Sequence, residues 1–89
     1  MTKYILNKNE FIHSDLGGDT IWMGMTSSNF IELNETATFI TGLLGKQALT
    51  QNGIVEAICA EYSITAADCA DDVKTVLQEL TKTGLVTLT

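Results

Sequence analysis

The side chains that could carry out chemistry in this sequence are few and lie far apart. His13 is the only histidine, and Cys59 and Cys69 lack both the close C-x-x-C spacing and the additional ligands of a zinc site. We therefore expect no metal and interpret the cysteines as small core residues. An isolated imidazole without a partner at catalytic spacing is typical of a surface histidine or one with satisfied hydrogen bonds, so His13 is not a predicted catalyst.

The remaining candidate motifs also lack the parts that an enzyme needs. Gly42 and Gly45 are not followed by the Gly-Lys-Ser/Thr ending of a phosphate-binding loop, so Gly45-Lys46 is predicted to be a helix end. The adjacent pair Asp71-Asp72 would diverge by about 100° on a helix, which is typical of a solvated face and not of a cation site. We predict no enzymatic activity and no cofactor.

Length and charge limit the classes of function further. The chain has 89 residues, 45% of them hydrophobic, and residues 1–89 are predicted to form one domain. A chain this short buries only about 60% of its unfolded surface, so function is expected at edges, faces and grooves. Five lysines, no arginine and eleven acidic residues give a net charge of -6, which would repel a phosphate backbone. We predict no nucleic-acid partner.

Nothing in the sequence predicts a membrane or secretory protein. No run approaches the roughly 20 apolar residues that span a bilayer, and Met1 to Glu10 lacks the apolar core of a signal peptide. Two cysteines are far too few for a disulfide scaffold and would stay reduced as thiols. The expected location is the cytoplasm.

Short alternating apolar runs in the first third predict β-strands. Phe11-Ile12 and Ile21-Met23 are separated by Gly17-Gly18, which suits a hairpin turn. A third strand is predicted over Asn29 to Leu33, and Tyr4-Leu6 is predicted to lead into the first strand. The result is a three-stranded antiparallel meander. On the third strand Ile31 and Leu33 share one face, and Phe30 and Glu32 share the other.

From Asn34 onward apolar residues recur at every third or fourth position, as on one face of a helix. This pattern predicts three helices, each with an N-cap residue. Asn34 caps the first helix, which should end at Gly45 in a left-handed conformation. Thr50 caps the second helix, and Thr65 opens the third, which Gly84 ends. The predicted apolar stripe of the second helix contains Ile54, Val55, Ile58, Cys59 and Tyr62, and that of the third contains Cys69, Ala70, Val73, Val76, Leu77 and Leu80.

Strands followed by helices predict an α+β fold with the helices on one face of a small sheet. Alternation places Trp22 and Met23 on opposite faces, so one of these faces should be partly exposed. We expect Trp22 to fill the core, and the alternative is an adaptable apolar binding surface with Met23 and Met25. The outer strand edge must be charged, covered or used to bind another strand.

Several strings of this sequence resemble one known family. The stretch from Phe30 to Ala37, followed by Ile54-Val55-Glu56-Ala57-Ile58 and then by Asp72-Val73, Leu77, Leu80 and Thr83-Gly84-Leu85-Val86, is similar to the PqqD-like family. That family includes the coenzyme PQQ synthesis protein D and the stand-alone recognition elements of ribosomally made, modified peptides (RiPPs). The resemblance covers about residues 11–88. It implies a winged-helix-like fold, with a three-stranded antiparallel sheet followed by three helices.

The resemblance also implies a function. Members bind the leader segment of a precursor peptide and present it to a modifying enzyme, often a radical SAM enzyme, without catalysis of their own. The leader adds as an antiparallel strand to the third strand and lies in the groove beside the third helix. Carried over to this sequence, the implied contacts are Asn29, Phe30, Ile31, Glu32 and Leu33 on the strand and Asp72, Lys74, Thr75, Val76, Gln78 and Glu79 on the helix.

The residues themselves leave alternatives open. Strand addition requires an unpaired edge, which the last strand of a meander supplies. Glu32 could pair with a basic leader residue or discourage aggregation at that edge. A winged-helix DNA-binding or regulatory domain is a second hypothesis, which the negative charge disfavours. A third is a structural subunit that dimerises through its free edge or its tail, Leu85-Leu88, and both a monomer and a weak homodimer fit the sequence.

Overall fold

Strands occupy the first third of the chain and helices most of the remainder. The computed structural model describes residues 2–17, 19–25 and 30–89. Their order is β1 (Tyr4–Leu6), a 3-10 turn (Lys8–Glu10), β2 (Phe11–Leu16), β3 (Asp19–Gly24), β4 (Phe30–Leu33), α1 (Glu35–Leu44), α2 (Gln51–Tyr62), α3 (Ala66–Thr83) and β5 (Val86–Leu88). The α+β arrangement and the order of its elements are confirmed.

The predicted three-stranded meander is present as the antiparallel sheet β2-β3-β4. Its register pairs His13 with Trp22 and Trp22 with Ile31. The prediction that Tyr4–Leu6 leads into the first strand is wrong, because β1 pairs with β5 in a separate two-stranded ribbon. The 3-10 turn redirects the chain between β1 and β2, and Asn7 is held there by a bond from its main-chain N–H to the Leu85 carbonyl, at 2.8 Å.

The three helices begin where the sequence predicts. The side chains of Asn34, Thr50 and Thr65 each accept a bond from the main-chain N–H three residues later, as N-caps do. Gly84 ends α3 in the left-handed conformation, at φ 85°. Gly45 was expected to be left-handed as well, and this expectation is wrong. Its φ is -70°, because its N–H continues the helical pattern by donating to the Thr41 carbonyl.

The core lies between the three-stranded sheet, the helices and β5. Ile40, Ile54 and Leu85 have no exposed surface, and Trp22 is 6% exposed while Met23 is 37% exposed. Trp22 therefore fills the core, as expected. Cys69 is also buried, and its Sγ lies 3.3 Å from that of half-buried Cys59 on α2, so both cysteines are core residues. The predicted apolar stripe of α2 includes one residue too many, because Tyr62 is 36% exposed.

Candidate functional site

Hydrogen bonding leaves the outer edge of β4 unpaired. The Met25 N–H donates to the Glu10 carbonyl at 2.8 Å, so this residue of the β3 side directs its main-chain groups toward β2. Along a strand these groups alternate in direction, so Trp22 and Thr20 direct theirs toward β4, where they pair with Ile31 and Leu33. The main-chain groups of Phe30 and Glu32 then point away from β3. Within the described residues β4 pairs with β3 alone, so these groups form a free edge.

A groove runs beside this edge, between β4 and α3. Its volume is about 370 Å³. Ile31 and Leu33 face inward from β4, and Val76 and Leu80 meet them from α3, so the floor is apolar. The complete lining is Asp19, Ile31, Glu32, Leu33, Asn34, Ala37, Val76, Glu79, Leu80 and Thr83. Four consecutive residues from Ile31 to Asn34 line it, so the groove borders the backbone edge as well as one face of the strand.

Acidic residues line this groove. Asp19, Glu32 and Glu79 line the groove, and no lysine or histidine is among its lining residues. Both Glu32 and Glu79 are exposed: Glu79 lies on the helix, and Glu32 lies on the edge strand with its side chain on the outer face beside Phe30. A groove with this charge favours a ligand that carries basic groups and disfavours acidic ones.

The helix that forms the second wall is held firmly by its other side. Val73, Leu77 and Leu80 of α3 are each at most 3% exposed and pack in the core. Val76, Glu79 and Thr83 follow at helical spacing along the neighbouring face, which is therefore turned toward the groove. The helix presents a fixed row of side chains to anything that lies along β4.

The structure brings together about half of the predicted contact residues. Ile31, Glu32, Leu33, Val76 and Glu79 line the groove.

The other predicted contacts are not among the lining residues of the groove. Phe30 is 68% exposed on the outer face of the sheet. Asp72 is exposed one helical turn before Val76, and Thr75 is exposed while its hydroxyl donates to the Asp71 carbonyl at 3.0 Å. Lys74 and Gln78 lie on the opposite side of α3, where Gln78 lines another cavity with Tyr4 and Leu88. Asn29 lies outside the described residues.

Five groove residues were not predicted as contacts. Asp19, Asn34, Ala37, Leu80 and Thr83 complete the lining. Thr83 follows Glu79 by one helical turn, so helical spacing alone contained the signal for it. Asp19 reaches the groove only because β3 pairs with β4 in the observed register, with Thr20 opposite Leu33. The alternation within one strand does not show which residues of the neighbouring strand lie beside it.

The residues first considered for chemistry do not form a reactive cluster. The His13 ring stacks on Trp22 with the ring centroids 4.4 Å apart, and its Nε2 lies 3.9 Å from the Asp15 carboxylate. Asp71 and Asp72 are both exposed. Across residues 2–17, 19–25 and 30–89, no three histidine, cysteine or acidic side chains come close enough to hold a metal ion. No helix in these ranges is long and apolar enough to cross a membrane.

Comparison with known proteins identifies the family. The model of the coenzyme PQQ synthesis protein D (PqqD) family matches residues 17–86, which include the free edge of β4 and the whole of α3. The chain belongs to the PqqD family. This confirms the resemblance that the sequence suggested. No curated protein sequence matches the chain.

A solved structure has the same fold as this PqqD-family chain. It is described as TbiB1 in complex with the TbiA(beta) leader peptide, and it superimposes with a TM-score of 0.78. The match covers 92% of this chain and 93% of that one at 21% sequence identity. At this identity the similarity shows the shared fold, and the sheet and three helices described above are therefore also those of TbiB1.

Proposed function

We propose that this protein binds the leader segment of a ribosomally made precursor peptide by strand addition to β4. The observation that carries the proposal is the free edge formed by the main-chain groups of Phe30 and Glu32, directly beside the groove to α3. An extended peptide gains main-chain hydrogen bonds at such an edge, and its alternate side chains enter the groove. Membership of the PqqD family and the shared fold with a leader-peptide complex support this assignment.

The lining of the groove defines which leader it would accept. Alternate residues of an added strand point to one face, so apolar side chains would cover Val76 and Leu80. Basic side chains near the rim would meet Glu32 and Glu79. We therefore expect a leader segment in which apolar and basic residues alternate.

The role that follows is positioning without catalysis. The protein would hold the leader and bring the attached core peptide to a modifying enzyme, such as a radical SAM enzyme, which raises the effective concentration of that peptide at the enzyme. A homodimer built on the β4 edge would occupy the same groove and compete with the leader.

A titration of isotope-labelled protein with the leader of the neighbouring precursor gene tests the proposal. Amide shifts should concentrate on residues 30–33 and on the groove side of α3 around Val76, Glu79 and Thr83. Residues around Gln78, on the other side of that helix, serve as the internal control. Shifts of equal size on the Gln78 side of α3, or no shifts with the fold intact, would contradict strand addition at β4.

A further inference from the structure

A second and larger cavity lies at the opposite edge of the same sheet. It occupies about 720 Å³ between β2 and α1. Leu6, Phe11 and Trp22 form its apolar part, and Thr20, Thr38 and Thr41 add hydroxyl groups. Its volume falls in the range of ligand sites in general, roughly 300–1,000 Å³. The family assignment and the leader groove leave this cavity without a function.

Trp22 forms part of the cavity wall. It is 6% exposed, and its ring stacks on that of His13, which also lines the cavity. Its Nε1 atom is closed to solvent and has no hydrogen-bond partner within the described residues. A ligand in the cavity would therefore contact the aromatic rings and not this N–H.

The cavity also borders a free strand edge. The same alternation that frees β4 directs the main-chain groups of Phe11, His13 and Asp15 away from β3. All three residues line the cavity, and β2 pairs only with β3 in the part of the chain that the structure describes. Main-chain bonds to an extended peptide are therefore available here as well.

The charge of this cavity is opposite to that of the leader groove. Lys8 and Lys46, two of the five lysines of the chain, line it together with His13. Asp15 is its acidic lining residue, and its side chain is 77% exposed beside His13. The Lys8 ammonium donates to the Gly45 carbonyl and keeps further N–H donors for a ligand. An acidic segment is favoured here, and a basic leader is not.

We propose that the cavity between β2 and α1 binds an extended acidic peptide segment of a second protein, distinct from the leader. The segment pairs with the free edge of β2, and its acidic side chains lie beside Lys8 and Lys46. The sheet then carries different peptides on its two edges. Because the two sites use different strands, this proposal does not depend on leader binding at β4.

Trp22 provides a direct readout, because it is the only tryptophan and gives one indole N–H resonance. The probe is the capped peptide acetyl-Val-Glu-Val-Glu-Val-amide, and the control is its lysine counterpart, acetyl-Val-Lys-Val-Lys-Val-amide. The glutamate peptide should shift the indole resonance and the amides of residues 11–15. The lysine peptide should leave these resonances unchanged.

Matched variants assign the effect to the cavity. Lys8→Gln and Lys46→Gln each remove one charge, and each should weaken binding about threefold as read from the residue 11–15 amides. Lys3→Gln removes a charge from an exposed residue outside the cavity and should change nothing. Gly42→Leu, at the cavity rim, should block binding without unfolding, because a Cβ there meets no heavy atom within 4 Å.

Three results would overturn the proposal. Equal shifts with both peptides would show that charge is not recognised. Binding of 3-phenylpropionate without binding of the glutamate peptide would identify a small-molecule site instead. Displacement of the glutamate peptide by the leader would show that both compete for one groove. Unchanged affinity of the glutamate peptide with leader bound at β4 is the expected outcome.

Discussion

Replacing Glu32 by proline tests strand addition at a single main-chain group. The Glu32 N–H points away from β3, so its loss removes no bond of the sheet. Proline is tolerated at an edge strand in this orientation, and the preceding residue, Ile31, is already extended. The variant should therefore fold, but it cannot donate this N–H to a leader peptide.

The expected loss of affinity separates the main-chain bond from the charge. One main-chain hydrogen bond contributes about 1 kcal/mol, and the leader carbonyl left unpaired adds about 1–3 kcal/mol. Glu32→Pro should therefore weaken leader binding by about 2 kcal/mol or more, roughly 30-fold. Glu32→Gln loses only an exposed charge and should cost at most about 1 kcal/mol, roughly fivefold. The difference between the two variants measures the main-chain contribution.

Calorimetric titration of both variants with the leader gives the two affinities, and thermal unfolding checks the fold. Ile31→Pro is the matched control, because the Ile31 N–H faces β3 and its loss should lower the stability of the free protein. If Glu32→Pro bound the leader as well as Glu32→Gln does, the main chain of residue 32 would not pair with the leader. Strand addition at β4 would then be refuted.

Four further predictions concern other residues. Gly42→Ala should raise the free energy of unfolding in urea by about 0.5–1 kcal/mol, since the new methyl group meets no heavy atom within 4 Å and glycine weakens a helix; a loss of stability would contradict this. Glu79→Gln should weaken leader binding about twofold to fivefold at low salt and less at high salt; an equal effect at both would exclude a charge contact. Burial, together with the contact to Cys59, raises the pKa of the Cys69 thiol, so iodoacetamide should modify half-buried Cys59 first. The folded state holds the Cys69 proton more tightly than the unfolded state, so part of the stability should be lost as the pH rises above about 9, and a Cys69→Ala variant should lose less over the same pH range.

Local signals in the sequence predicted most elements of the fold. Asn34, Thr50 and Thr65 cap their helices in the structure because capping needs only a side chain and an N–H three residues away. The pairing of β1 with β5 was missed for the opposite reason. Tyr4 and Leu88 stand at the two ends of the chain, and no local pattern specifies a contact at that separation.

The candidate site was predictable in part, from alternation and from the family resemblance. Alternation placed Ile31 and Leu33 on one face of the strand, and the resemblance to the PqqD-like family supplied Val76 and Glu79 on α3, all of which line the groove. Lys74 and Gln78 belong to the same helix, but the position of the groove around the helix axis depends on how α3 packs. The cavity beside β2 was not predicted, because it lies between two elements, β2 and α1, whose relative placement no local pattern specifies.

The size of the chain explains why both proposed sites are strand edges. A domain of this length spends nearly all its apolar residues on one core, and little remains to enclose a ligand. A three-stranded sheet nevertheless has two edges, and each is a hazard unless it is covered, charged or used. Here Glu32 charges one edge, and the Lys8 and Lys46 side chains lie beside the other. Like charges disfavour the pairing of each edge with the same edge of a second copy, and in the functions proposed here the same side chains would select peptides of opposite charge.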